Sequence, residues 1–180
     1  AALLYMVPLS LSIAASARVS YWLGAQQPQR ARQVVLMGFS LAALVGIALA
    51  AILLIARYSI SQIYTDNASV AAVSGAVLGW VAAYHAADAV QTLCVFVLRS
   101  YRITVAPLVV YCLLLWGVGL HGGYRLAYQG WAGWGPYHSP APFWAASAAA
   151  LAVTALVFAA LLLGVLRLSR RKADERQVHA

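Results

Sequence analysis

One carboxylate lies inside an apolar stretch of this chain, in the segment YHAADAVQTLC. Residues three, four and seven positions apart share a face of a helix, so Tyr84, Asp88 and Gln91 form one stripe, flanked by His85 and Thr92. Burial penalises the charged form of a carboxyl group, whereas a hydrogen bond from a phenol or an amide favours the anion. This combination is typical of a site that exchanges a proton or holds a cation.

We therefore predict that Asp88 is a coupling site that exchanges a proton or holds a cation. Tyr84, His85, Gln91 and Thr92 are predicted to line the surrounding cavity or to contact a substrate. Beyond a cation at Asp88 we expect no metal, and we expect no cofactor and no catalytic residue.

The elements that must position these residues are transmembrane helices. The 180 residues are 64% hydrophobic and 9% charged, whereas a soluble domain is about half apolar and about a quarter charged. The fold class is therefore all-α integral membrane. A carboxylate at bilayer depth costs about 2.5 to 3.5 kcal/mol on insertion scales, so Asp88 requires a partner, a water-filled cavity or a function.

Five apolar segments reach the length of about 20 residues that a helix needs to cross the hydrocarbon. They cover residues 1–23, 33–56, 70–98, 103–127 and 143–166. We predict a transmembrane unit over residues 1–168 and a polar cytoplasmic tail over residues 169–180.

The basic residues are distributed unevenly between the two ends of these helices. Of the twelve Lys and Arg residues, only Arg57 and Arg125 fall on one side. The positive-inside rule then places the C-terminus in the cytoplasm. Nucleic-acid binding is not expected, because it requires basic residues clustered on one face. Five crossings place residue 1 on the outer side, which leads us to expect preceding sequence.

Several other polar and aromatic residues have structural interpretations. Asp66 is predicted to cap the third helix, with Thr65, Asn67 and Ser69 as alternatives. Small residues in WGVGLHGG allow close helix packing at Gly117, Gly119, Gly122 and Gly123. An aromatic belt at the headgroup level is predicted at Trp131, Trp134, Tyr137, Phe143 and Trp144.

Three segments carry a family resemblance, in this order: MVPLSLSIAASARVSYWLG, ISQIYTDNASV and YHAADAVQTLCVFVLRSYR. Together they resemble the multidrug and toxin extrusion (MATE) family, with the nearest likeness to its NorM-type bacterial branch. The most specific element is Tyr84, three intervening residues and Asp88, followed by Ala-Val-Gln and then by Leu98 and Arg99. The resemblance covers nearly all of the chain.

The resemblance implies a twelve-helix transporter with two lobes, in which the five spans correspond to helices eight to twelve. The N-lobe and the first helix of the second lobe would then be partners that this chain lacks. The implied function is secondary active antiport, in which Na⁺ or H⁺ drives efflux of cationic amphiphilic drugs and toxins. Asp88 would bind the coupling ion and Tyr84 would line the same region.

The resemblance also implies a multi-pass protein of the bacterial inner membrane that is not an enzyme, with the lipid bilayer and cationic organic substrates as partners. Three alternatives remain open. A flippase of related fold would move lipid-linked saccharides and would line its cavity with more basic residues. A membrane subunit binding haem or quinone would use His85 and His121. A scaffold of packed helices would have no need of Asp88.

Overall fold

The computed structural model describes residues 2–130, 133 and 136–178, with side chains described between residues 4 and 170 of these ranges. Its helices are α1 (Ala2–Gly24), α2 (Pro28–Tyr64), α3 (Ala68–Ser100), α4 (Val105–Gln129) and α5 (Pro140–Val178). The part of the chain that the structure describes contains no strand. The predicted all-α fold is confirmed.

Four helices in the described ranges are long and apolar enough to cross a membrane. They are α2, α3, α4 and the Pro140–Arg170 portion of α5. The chain is thus a multi-pass membrane protein. The segment predicted as a first span forms α1 but is not among these four helices, so its crossing remains a prediction.

Helices α2, α3 and α5 are longer than the hydrophobic segments that predicted them. Helix α2 extends beyond the predicted range 33–56 at both ends, and α5 continues through most of the tail that we predicted as a separate polar segment. Hydropathy marks the lipid-facing length of a helix, whereas its backbone hydrogen bonds continue into the polar residues beyond.

Helix α3 lies at the centre of the bundle and packs against α1, α2 and α5. Residues 91–95 in its second half are all buried, and Leu93, Cys94, Val97 and Leu98 have no exposed surface. A helix that is apolar all round is expected in such a core position. This arrangement places the residues after Tyr84 in the interior.

A close contact between α2 and α3 fixes the depth at which the two helices cross. A Cβ atom at Gly46 would lie 2.7 Å from the Cβ of Ala89, the neighbour of Asp88. Glycine at this point lets the backbones approach closely, as is common between transmembrane helices. Because Gly46 has no side chain, α2 packs directly against α3 beside Asp88.

Asn67, rather than Asp66, caps α3. Its Oδ1 atom accepts hydrogen bonds from the backbone N–H groups of Ser69 and Val70 at 3.0 and 3.4 Å. The side chain thereby satisfies donors that lack partners inside the helix. Asn67 was one of the predicted alternatives.

Helix α4 packs on α5 and has wide turns, with i→i+5 hydrogen bonding over Tyr111–Gly122 and Arg125–Gln129. Gly119 and Gly123 face α5, where added Cβ atoms would lie 3.2 Å from the Cβ of Ala150 and 3.1 Å from the carbonyl oxygen of Phe143. Gly117 has open space around it. Only some of the predicted small-residue contacts therefore lie at a helix interface.

Candidate functional site

Asp88 lies in the buried half of α3 with 7% of its surface exposed. None of the arginine side chains that the structure describes forms an ion pair with it, and the partners found are neutral. The cost of a charge in this position rises steeply unless it is paired or solvated. Among the described residues, Asp88 therefore has no cationic side chain as a partner.

A chain of hydrogen bonds connects Asp88 to α4 through one amide side chain. Gln91 donates from Nε2 to Oδ1 of Asp88 at 2.9 Å and to Oγ1 of Thr92 at 3.0 Å. The hydroxyl of Tyr111 donates to Oε1 of the same Gln91. Both the nitrogen and the oxygen of the Gln91 amide therefore form hydrogen bonds, and the nitrogen faces the carboxylate of Asp88.

A cavity of about 400 Å³ opens in front of these residues. Its lining residues come from α1, α3, α4 and α5, and they are Tyr5, Tyr84, His85, Asp88, Gln91, Tyr111, Leu115 and Leu151. The structure thus brings Tyr84, His85, Asp88 and Gln91 to one cavity. Thr92 is not part of this wall, because it is buried behind Gln91.

The imidazole of His85 is 8% exposed, and its Nε2 atom is buried without a hydrogen-bond partner. Most buried polar atoms in proteins have a partner, so such an atom requires an explanation. The residue follows Tyr84, whose ring meets the imidazole edge to face at a centroid distance of 6.2 Å.

A second, more apolar cavity of about 390 Å³ adjoins the first and shares Tyr84, His85 and Leu115 with it. The remaining lining residues are Val81, Trp116, Leu120, Phe143, Trp144 and Ser147. The rings of Tyr84 and Trp144 meet edge to face at 6.3 Å. Aromatic faces of this kind attract cations, and the residues described in the two cavity walls include no lysine or arginine.

The predicted aromatic belt at the lipid headgroups stays a prediction. Of its described residues, Phe143 and Trp144 line the second cavity, whereas Tyr137 is half exposed. Trp131 and Trp134 lie outside the described residues. Composition alone does not distinguish an aromatic residue that faces lipid from one that lines a cavity.

Sequence reasoning missed Tyr5 and Tyr111. Each is a single hydroxyl in an apolar run, LLYMV and VVYCL. That isolation is a signal, since a buried tyrosine hydroxyl usually has a partner. The identity of the partner, Gln91 on another helix in the case of Tyr111, could not be read from spacing along one helix.

The two histidines of the haem or quinone alternative do not share a site. His121 is exposed on α4 and belongs to neither cavity wall. Among the residues described, no three His, Cys, Asp or Glu side chains gather as metal ligands would. The carboxylate of Asp88 and the hydroxyl groups of the tyrosines in the same cavity wall are oxygen donors, the ligand type that suits a single hard cation.

Comparison with known proteins adds a family match. The MatE family model matches residues 1–124. A probable multidrug resistance protein NorM of Aromatoleum aromaticum is 35% identical over 93% of the chain and 36% of its own length. The multidrug resistance protein NorM of Photobacterium profundum is 31% identical over 98% of the chain and 37% of its own length.

The crystal structure of the eukaryotic MATE transporter AtDTX14 has the same fold. Its TM-score is 0.79 at 22% identity, and the alignment covers 96% of this chain and 38% of that chain. The present chain therefore spans little more than a third of the length of the relatives it matches.

Proposed function

Because this chain belongs to the MATE family, we propose that it acts as the C-terminal lobe portion of a multidrug efflux transporter. The transporter would exchange Na⁺ or H⁺ for cationic amphiphilic compounds across a bacterial inner membrane. Two of the relatives above are named as multidrug resistance proteins. The N-lobe and the first helix of the second lobe would complete the transport unit.

The observation that carries the proposal is a buried carboxylate that faces a cavity with neutral partners only. A carboxylate held by a nearby guanidinium would be a structural ion pair. Asp88 instead has an amide donor and open space. It would therefore alternate between a form neutralised by H⁺ or Na⁺ and an empty anionic form.

Alternation at one carboxylate becomes transport when each form favours a different arrangement of the lobes. A ligand shifts such an equilibrium only by its difference in affinity for the two states. In this scheme the coupling ion favours one state at Asp88, and the substrate favours the other. The transport cycle then follows because the coupling ion and the substrate either compete for the same site or bind to different states of the transporter.

The second cavity suggests how a cationic substrate would meet the coupling site. Tyr84 and His85 belong to both cavity walls, so a ligand among the aromatic rings would lie against residues that also surround Asp88. The apolar rings of the substrate would pack against Trp116, Phe143 and Trp144, and the carboxylate of Asp88 would attract the positive charge of the substrate.

Of the alternatives, the saccharide flippase would have to bind a phosphorylated carrier. The wall of the first cavity carries the carboxylate of Asp88, and no lysine or arginine occurs among the described residues of either wall, which favours a cationic over an anionic ligand. The haem or quinone alternative is disfavoured by the separate placement of His85 and His121.

Efflux of ethidium from cells tests this proposal. The cells express the full-length gene, and the Asp88→Asn variant is compared with the parent at matched expression. Asp66→Asn is the matched control, because Asp66 lies in an exposed turn. We expect Asp88→Asn to abolish gradient-driven efflux and Asp66→Asn to retain it. The gradient that drives the parent protein, sodium or proton, identifies the coupling ion, and unchanged efflux in Asp88→Asn would overturn the assignment.

The predicted cytoplasmic C-terminus and the two-unit division at residue 168 are part of the same proposal. The support is the clustering of basic residues near the α1–α2 turn, the α3–α4 turn and the end of α5. Accessibility of a single cysteine introduced near residue 170 to a membrane-impermeant thiol reagent would test it. Labelling in inverted vesicles, but not in intact cells, is the expected result.

A further inference from the structure

A third cavity lies away from Asp88, at the end of the bundle that carries the α1–α2 and α3–α4 turns. It has a volume of about 320 Å³. Its wall combines the first turns of α2, the α3–α4 turn and the distal part of α5. The lining residues are Pro28, Gln29, Arg32, Gln33, Leu36, Tyr101, Leu166, Ser169 and Arg170.

The polar part of this cavity suits an anion. Arg32 and Arg170 contribute two guanidinium groups from different helices, and the described residues of the wall include no Asp or Glu. Guanidinium groups bind phosphate oxygens with two parallel hydrogen bonds. Gln29, Gln33 and Ser169 add neutral donors from the same two helices.

The start of α2 adds no negative charge to this cavity. The first turn of α2 contains no acidic residue, and Gln27 provides no side-chain cap. The N-terminal end of a helix carries a partial positive charge and favours a nearby anion. Pro28 and Gln29, the first two residues of α2, line the cavity, so this end of the helix also favours an anionic ligand.

The lower part of the cavity is apolar and continues along α2. Leu36 lines the basic cavity and also begins a groove that contains Met37, Ser40, Leu41 and Leu44. Spacings of three and four residues place Gln29, Gln33 and Leu36 on the same face as this groove. Leu36 and Leu44 are exposed, so the groove is open to an acyl chain.

We propose that this cavity binds the phosphate headgroup of an anionic phospholipid, with an acyl chain in the groove of α2. A basic pocket between transmembrane helices next to a lipid-exposed apolar groove matches both ends of such a molecule. The groove distinguishes the lipid from a free phosphate, which would gain nothing from Leu36, Leu41 and Leu44. The site is separate from Asp88 and does not depend on the transport cycle.

Native mass spectrometry of the purified full-length protein tests the proposal, with phosphatidylglycerol and phosphatidylcholine as probes. We expect phosphatidylglycerol to bind the parent more tightly. Replacement of one arginine, in Arg32→Gln or Arg170→Gln, should weaken that binding about fivefold, and the double variant should weaken it about 25-fold. Arg125→Gln is the matched control, because Arg125 lies at the other end of α4, and should leave the affinity unchanged.

Equal binding of the two lipids to the parent, or unchanged binding in the double variant, would overturn the proposal. It would also fail if excess inorganic phosphate displaced the lipid completely, because the site would then belong to a soluble anion. The variant Arg32→Lys separates charge from geometry. It should recover part of the preference for phosphatidylglycerol, since lysine keeps the charge without the paired hydrogen bonds.

Discussion

Gln91 lies one turn after Asp88 on α3 and donates a hydrogen bond from Nε2 to Oδ1 of that carboxylate at 2.9 Å. Its carbonyl oxygen accepts from the hydroxyl of Tyr111 on α4. The same amide therefore contacts the proposed coupling residue and a helix that has few other contacts with α3. A change in the charge of Asp88 would reach α4 through this side chain.

Replacement of Gln91 by leucine should destabilise the protein. The change leaves Asp88 without its donor and Tyr111 without its acceptor, and each buried unpaired group costs about 1 to 3 kcal/mol. Unfolding by SDS in detergent micelles measures the effect. In a double-mutant cycle with Tyr111→Phe, we expect a coupling energy above about 0.5 kcal/mol, and strictly additive effects would contradict the hydrogen-bond chain.

The crossing of α2 and α3 should be sensitive to any side chain at Gly46. A Cβ atom there meets the Cβ of Ala89 at 2.7 Å, and helix backbones, unlike flexible side-chain ends, cannot move aside easily. Gly46→Ala should therefore lower the free energy of unfolding by about 1 to 3 kcal/mol. Gly117→Ala, at a position with open space, is the control and should not destabilise. Equal effects of the two variants would show that the close contact is unimportant.

The site shows how far the sequence could predict the structure. The residues Tyr84, Asp88 and Gln91 lie on one helix, so helical spacing alone predicted that they share a face. Tyr5 and Tyr111 come from other helices, and hydrophobic composition does not state which face of one apolar helix meets another. The contact with Gln91 could therefore be found only from the folded arrangement.

A similar limit applies to the helices themselves. Hydropathy predicted the apolar lengths of α2 to α5, because the bilayer selects for them. Hydropathy did not predict the wide turns of α4 over Tyr111–Gly122. Both i→i+4 and i→i+5 hydrogen bonding pair the backbone groups within the helix, so the apolar composition of the segment is compatible with either. Hydropathy also did not distinguish Asn67 from Asp66 as the cap, because both side chains offer an acceptor at neighbouring positions.

Loss of the Asn67 side chain should shorten or fray the start of α3. The Oδ1 atom accepts from two backbone donors and from the hydroxyl of Ser69. Asn67→Ala should cost about 1 kcal/mol, and Asn67→Asp should retain most of the stability because its carboxylate can accept the same bonds. Asp66→Ala should change stability by less than about 0.5 kcal/mol. Thermal unfolding in detergent measures all three, and a larger loss for Asp66→Ala would reverse the assignment of the cap.

Substitution of His85 should separate function from stability. Its Nε2 atom is buried without a partner, so His85→Leu removes an unpaired polar atom and loses no hydrogen bond from that nitrogen. We expect the melting temperature to stay the same or rise, because an unsatisfied buried group costs about 1 to 3 kcal/mol. Ethidium efflux should nevertheless fall severalfold, since His85 lies in the walls of both cavities and its free nitrogen can bind water or substrate there during transport. His121→Leu, exposed on α4, is the control and should retain efflux. A lower melting temperature for His85→Leu would show that the imidazole stabilises the fold, and full efflux would show that transport does not use it.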